Sequence, residues 1–214
     1  MASVQGVDSV AAVDSGNYTY YSGNQLVDTD LAGATAIYIG PQSFWGRYFG
    51  APGGFGTTMN YEGSSEIQSE CARLTATGVH RILPIHSPGN VGGSYCDGLA
   101  AGKVVCDGIV SAIQQSGGRI AQPGQIYIYL DVEAGNTLTP GYWSGWTSTV
   151  VNYIYNNTAP FYPACYCNPQ GPNSNPCSIF CDPNNNTCFA IWSNCQGQFI
   201  FDPLTPTRID PPPL

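Results

Sequence analysis

The sequence predicts an α/β protein folded as a single (β/α) barrel of the TIM type, and three observations predict it. Strand-like and helix-like segments alternate from about residue 30 to residue 192, which is the sequence form of stacked βαβ units. The 214 residues suffice for one sizeable domain, and no internal repeat divides them. A hydrophobic content of 43% supports a packed core, while 26 glycines and 17 prolines imply many turns.

Taken in order, Gly6-Val7-Asp8 occupies what would be the first strand. Residues 11–30 are rich in Tyr, Ser and Asn and show no period. Residues 36–40 (Ala-Ile-Tyr-Ile-Gly) and 44–49 (Phe-Trp-Gly-Arg-Tyr-Phe) read as short strands. A helix is expected over 64–77, with Ser65 and Gln68 as a capping box, Ile67, Cys71 and Leu74 on one face, and Gly78 as the stop. Residues 81–85 form a strand, and 95–115 carry a helical stripe closed by Gly117-Gly118. The strongest strand spans 125–133, a helix follows at 142–155, and 161–167 and 189–192 are the last clear strands. Beyond Trp192 the barrel is expected to be irregular or incomplete. The barrel domain is assigned to 1–201, and 202–214, with Pro203, Pro206 and Pro211-Pro212-Pro213, to a proline-rich tail.

Composition excludes several classes. Lys and Arg number 6 against 14 Asp and Glu, a net charge of −8, so the chain cannot build the cationic stripe that nucleic acid requires. No apolar run is long enough to span a membrane. Residues 1–4 lack the charged and apolar regions of a signal peptide, so any export signal is expected to lie outside this sequence. Of 9 cysteines, six (Cys165, Cys167, Cys177, Cys181, Cys188 and Cys195) crowd a segment rich in Asn, Pro and Ser, where bridges would replace core packing. Their spacing fits no zinc repeat, and neither a metal nor a cofactor is expected. Sequons begin at Asn17, Asn156 and Asn185. Together these features predict a secreted, disulfide-stapled protein whose odd cysteine is available for self-association.

The chemistry centres on one strand. In Ile126-Tyr127-Ile128-Tyr129-Leu130-Asp131-Val132-Glu133, the period of 2 sends the four aliphatic residues to one face and two tyrosines and two carboxylates to the other. Buried carboxylates are expensive unless paired or used. Asp131 and Glu133 would lie about 6.6 Å apart at the strand's carboxyl end, where active sites of such barrels sit. Neighbouring carboxyls in a dry cleft raise each other's pKa, which lets one serve as a general acid in glycoside hydrolysis. The competing reading of Asp-Val-Glu is a solvated strand edge, and that of Asp8 is a turn residue.

Several segments then match one family in order: Gly6-Val7-Asp8-Ser9, Gly46-Arg47-Tyr48-Phe49, Ile82-Leu83-Pro84-Ile85, the 126–133 strand, Tyr142-Trp143 through Gly145-Trp146, and Ala190-Ile191-Trp192. Over about residues 4–193 the chain resembles the glycoside-hydrolase-like barrels, known as a domain of unknown function, that are related to the family 25 muramidases. The resemblance implies a lysozyme-like barrel with an acidic cleft. It implies Glu133 as general acid, Asp131 as the partner that steadies an oxazolinium-like or oxocarbenium-like state, and Asp8 as a further acid. His86 departs from the Tyr that the family pattern shows, and no acid-bearing final strand follows Trp192.

Further candidates are substrate-binding. His86 would polarise a hydroxyl, Arg47 would pair with a cleft carboxylate or a substrate, and Trp45, Tyr48, Tyr129, Tyr166 and Trp192 would form platforms for sugar rings, although aromatic residues at such positions are more often core. The function expected is hydrolysis of a cell-wall polysaccharide. The alternative is a non-catalytic glycan-binding or extracellular assembly protein on the same fold.

Overall fold

A computed structural model describes residues 6–50, 58–117, 120, 126–132, 136–156, 158, 160–167, 188 and 191–193. The expected proline-rich tail and its boundary at 201/202 lie outside the described residues. Six strands form one parallel sheet: β1 (Gly6–Ser9), β4 (Phe44–Phe49), β5 (Ile82–His86), β6 (Ile126–Val132), β7 (Phe161–Cys167) and β8 (Ile191–Ser193), in that spatial order. Between β1 and β4 the chain makes an antiparallel hairpin, β2 (Tyr18–Ser22) with β3 (Gln25–Thr29), and the helix α1 (Leu31–Tyr38). The remaining crossovers carry α2 (Ser64–Ala76), α3 (Tyr95–Gln115) and α4 (Pro140–Asn152).

The expected TIM-type barrel is not formed. A barrel closes only when its last strand pairs with its first. Here β1 and β8 are the two ends of an open sheet, and among the described residues neither pairs with the other. Strand–helix alternation fixes parallel pairing and helix placement, and both an open sheet and a barrel satisfy it.

One expected strand is helical. Residues 36–40 fall in and just beyond the second half of α1, because Asp30 caps that helix by accepting from the Gly33 N–H at 2.8 Å and Ala and Thr residues then sustain it. The segment with no period, 11–30, holds the hairpin. Gly23 stands at the first central position of its two-residue turn with φ 62°, a conformation that suits glycine. The cap of α2 also differs: Gly63 is its N-cap without a side-chain bond, and Ser65 bonds Glu66 instead. The capping box of the fold is in α3, between Ser94 and Asp97.

The sheet has two unlike faces. Trp45, Phe49, Ile82, Ile128, Leu130, Val132, Phe161 and Cys165 pack with α2, α3 and α4 into the main core. Parallel strands added always on the same side, with right-handed crossovers, put the helices on one face. Tyr48, Ile85, Tyr129, Ala164 and Tyr166 form a second buried cluster on the opposite face.

No disulfide bond occurs among the described residues, which corrects the expected staples. Cys71, Cys106 and Cys165 are buried in the main core, and Cys96 is exposed on α3. Cys177, Cys181 and Cys195 lie outside the described residues. No described helix is long and apolar enough to cross a membrane.

Candidate functional site

The side-chain alternation of β6 is as the sequence requires. Ile128, Leu130 and Val132 enter the helix-covered core, and Tyr129 lies in the opposite cluster with Tyr127 packed against it. Asp131 continues the tyrosine face at the carboxyl end of the strand and is 4% exposed. Its register partner is Tyr166 of β7, which in turn pairs with Trp192 of β8. Glu133, expected two residues further along this face, lies outside the described residues.

Two other strands contribute to the same edge. Asp8 of β1 stands opposite Gly46 of β4, which has no side chain to crowd it. Two residues on, Tyr48 donates its hydroxyl to Asp8 Oδ2 at 3.1 Å. Diagonal neighbours on adjacent strands are within reach of a long aromatic side chain, and this pair uses that reach. Burial raises the Asp8 carboxyl above its ordinary range, and the Tyr48 hydrogen bond partly offsets the rise. Burial, together with the nearby charges of Asp8 and Asp131 and with Tyr166, pushes the Tyr48 phenol far up. Tyr48 is therefore a fixed proton donor within electrostatic reach of two carboxylates. Burial also lifts the Tyr129 phenol to about 12, with Tyr127 and Cys188 adding to the effect.

Asp8, Tyr48, Asp131 and Tyr166 are thus gathered on one face. Arg47 and His86 are not. Arg47 has the opposite parity from Tyr48 and is fully buried on the helix side. Its Nε binds Glu70 Oε2 at 2.9 Å, its Nη2 binds Glu62 Oε1 at 3.0 Å, and its Nη1 donates to the carbonyls of Ser9 and Val10. Glu70 also accepts from the Val13 backbone N–H at 2.6 Å. The expected substrate-binding role of Arg47 is therefore replaced by a structural one: it ties β1 and the loop after it to α2.

His86 shares the parity of Ile82 and is 1% exposed. The Trp146 indole donates to its Nδ1 at 2.9 Å, so the neutral ring carries its proton on Nε2. Burial lowers its pKa to about 3. His86 thus holds α4 to the sheet, and the expected polarisation of a substrate hydroxyl is not what this placement supports.

Glu62, Glu70 and Trp146 were not singled out by sequence, although Glu70 carried a signal. It sits three residues after Ile67 and four before Leu74, on the buried stripe of α2, where a carboxylate requires a buried cation.

No protein family was matched by the chain, and no curated protein is similar to it. It is similar to the 1.07 Å crystal structure of an uncharacterized B. stearothermophilus protein, with a TM-score of 0.53 and 18% identity over 91% of this chain and 87% of that one. That likeness concerns the fold alone.

Proposed function

We propose that the protein is a secreted glycoside hydrolase that cleaves a cell-wall polysaccharide in the manner of a muramidase. The observation that carries this reading is the meeting of Asp8, Tyr48 and Asp131 at the carboxyl edge of the sheet, with Tyr48 bonded to one carboxylate and close to the other. Glycosidic cleavage needs one carboxyl that holds its proton and one that stays ionised, and unequal burial produces that division. In this reading Glu133 supplies the proton to the leaving oxygen. Asp131 steadies the positive charge that develops on the sugar, and Asp8, held by Tyr48, completes the acidic wall. Asn17 and Asn156, the first residues of two sequons, are exposed and accessible to glycosylation on a secretory route.

The second reading is a glycan-binding protein without turnover. It is favoured by Tyr127 and Tyr162, half-buried rings 5.7 Å apart on the same face, which offer stacking surface without chemistry. Incubation with peptidoglycan, chitin and neutral wall glycans separates the two. New reducing ends with the wild type, lost in Asp131→Asn, support the hydrolase. Retention of a glycan without cleavage supports the second reading, and neither cleavage nor retention removes both.

A further inference from the structure

On the helix side of β4, and independently of the hydrolase reading, two buried carboxyls share one cation. The edge of a guanidinium formed by Nε and Nη2 is a fork that ordinarily takes both oxygens of a single carboxylate. In Arg47, Nε lies 2.9 Å from Glu70 Oε2 and Nη2 lies 3.0 Å from Glu62 Oε1, so the fork sets two different carboxyl groups side by side. The Glu62 carboxyl is in turn hydrogen-bonded to that of Glu70. Ionised carboxylates only accept, so a hydrogen bond between two of them requires a proton on one. Glu62 Oε2 is where that proton fits: it is buried, and no N–H or hydroxyl donor reaches it among the described residues. Glu70 is the poorer site, because it already accepts from the Val13 N–H at 2.6 Å and from Arg47 Nε.

The charge points the same way. With both glutamates ionised the buried cluster would carry one net negative charge, and with one proton it is neutral. Arg47 from β4, Glu70 from α2 and Asp14 from the loop after β1 all act on Glu62, and Glu66 of α2 stands beside it on the surface. Burial, then the neighbouring Glu70, raises the Glu62 carboxyl above its ordinary range against the pull of Arg47, and Asp14 adds to the rise. Burial also raises Glu70, against Arg47 and the Val13 N–H, so the two titrate as a pair.

The cluster also fastens the chain just after Asp8. Arg47 Nη1 donates to the carbonyls of Ser9 and Val10, while Glu70 holds the Val13 N–H. We propose that Glu62 and Glu70 share one proton at neutral pH and that this proton latches α2 to residues 9–13. Its release to solvent in mild alkali leaves a buried negative charge and loosens that segment.

Carbon-13 titration of the glutamate carboxyls tests the shared proton in the unaltered chain, which has four glutamates, Glu62, Glu66, Glu70 and Glu133. A step of the Glu62–Glu70 pair above about pH 6 is expected, and it should persist in Glu133→Gln. Amide hydrogen exchange tests the latch. Corrected for the intrinsic pH dependence of exchange, the Val13 N–H should lose about tenfold or more of its protection between about pH 6 and about pH 9. In Glu62→Gln the side-chain amide donates to Glu70 at every pH, and that loss should disappear. Both wild-type readings stand without Glu62→Gln should that variant fail to fold. Ionisation of both glutamates by about pH 6, or Val13 protection that does not fall with rising pH in the wild type, would overturn the proposal. An equal fall in wild type and folded Glu62→Gln would overturn it as well.

Discussion

The Tyr48 hydroxyl donates to the Asp8 carboxylate at 3.1 Å, joining the first strand of the sheet to the second across an otherwise unfilled glycine position. The bond selects the ionised form of a carboxyl that burial drives toward the protonated one. Tyr48→Phe therefore raises the Asp8 pKa further and destabilises the protein by about 1–2 kcal/mol at neutral pH. A raised folded-state pKa means that the acid's favourable contribution is complete below its ordinary pKa and lost as pH rises through the folded value. The deficit of Tyr48→Phe should then shrink between about pH 7 and about pH 4, as read from denaturant midpoints. A deficit independent of pH contradicts this pairing.

Acid sensitivity should come largely from His86. Its folded pKa of about 3 lies below the unfolded value, so its contribution is complete above about pH 6.5 and is lost progressively as pH falls toward the folded value. About 2 kcal/mol should be gone by about pH 5, and His86→Gln should flatten that slope. Urea unfolding of both proteins over this range measures the effect. Equal slopes would show that His86 titrates normally.

Arg47 offers a test of structure against binding. Replacing it by Met leaves Glu62 and Glu70 buried without their cation and should cost about 3–5 kcal/mol. Glycan affinity per folded molecule should remain unchanged, because the guanidinium faces away from Asp8 and Asp131. A selective loss of glycan binding with unaltered stability would return Arg47 to the candidate site.

Helices α3 and α4 approach closely enough that a Cβ on Gly145 would collide with the Tyr95 carbonyl, and one on Gly98 with the Tyr142 carbonyl. Neither neighbour is a flexible side-chain tip, so the helices themselves must separate. Gly145→Ala should destabilise by about 3 kcal/mol or more, and the double variant with Gly98→Ala should cost less than the sum because both act on one interface. Thermal unfolding of the single and double variants checks both statements.

The elements with strong local signals were legible in the sequence. The two-faced pattern of 126–132, the apolar stripe of α3 and the proline at the start of α4 each fix a local structure whatever the surroundings. The apolar run 36–40 misled because a short stretch of alternating Ala, Ile and Tyr suits a strand as well as a helix, and the decisive group was Asp30, a cap upstream. Closure was not legible, since it depends on whether the first and last strands meet. Of the candidate site, the face of β6 on which Asp131 lies follows from strand parity, whereas Asp8 is marked only by its place in the first strand. Arg47 and His86 were misassigned because each stands one residue out of phase with the tyrosine face. Their partners Glu70 and Trp146 come from helices distant in sequence.

The central claim is that an acid beside Asp131 cleaves a glycan. New reducing ends released from peptidoglycan by the wild type and by Glu133→Gln, with both proteins shown folded by circular dichroism, test it most directly. Release by the wild type, reduced by about 10²-fold or more in the variant, is the result predicted for a general acid. Equal release by both proteins, or release by neither from peptidoglycan or any other wall glycan, would contradict it.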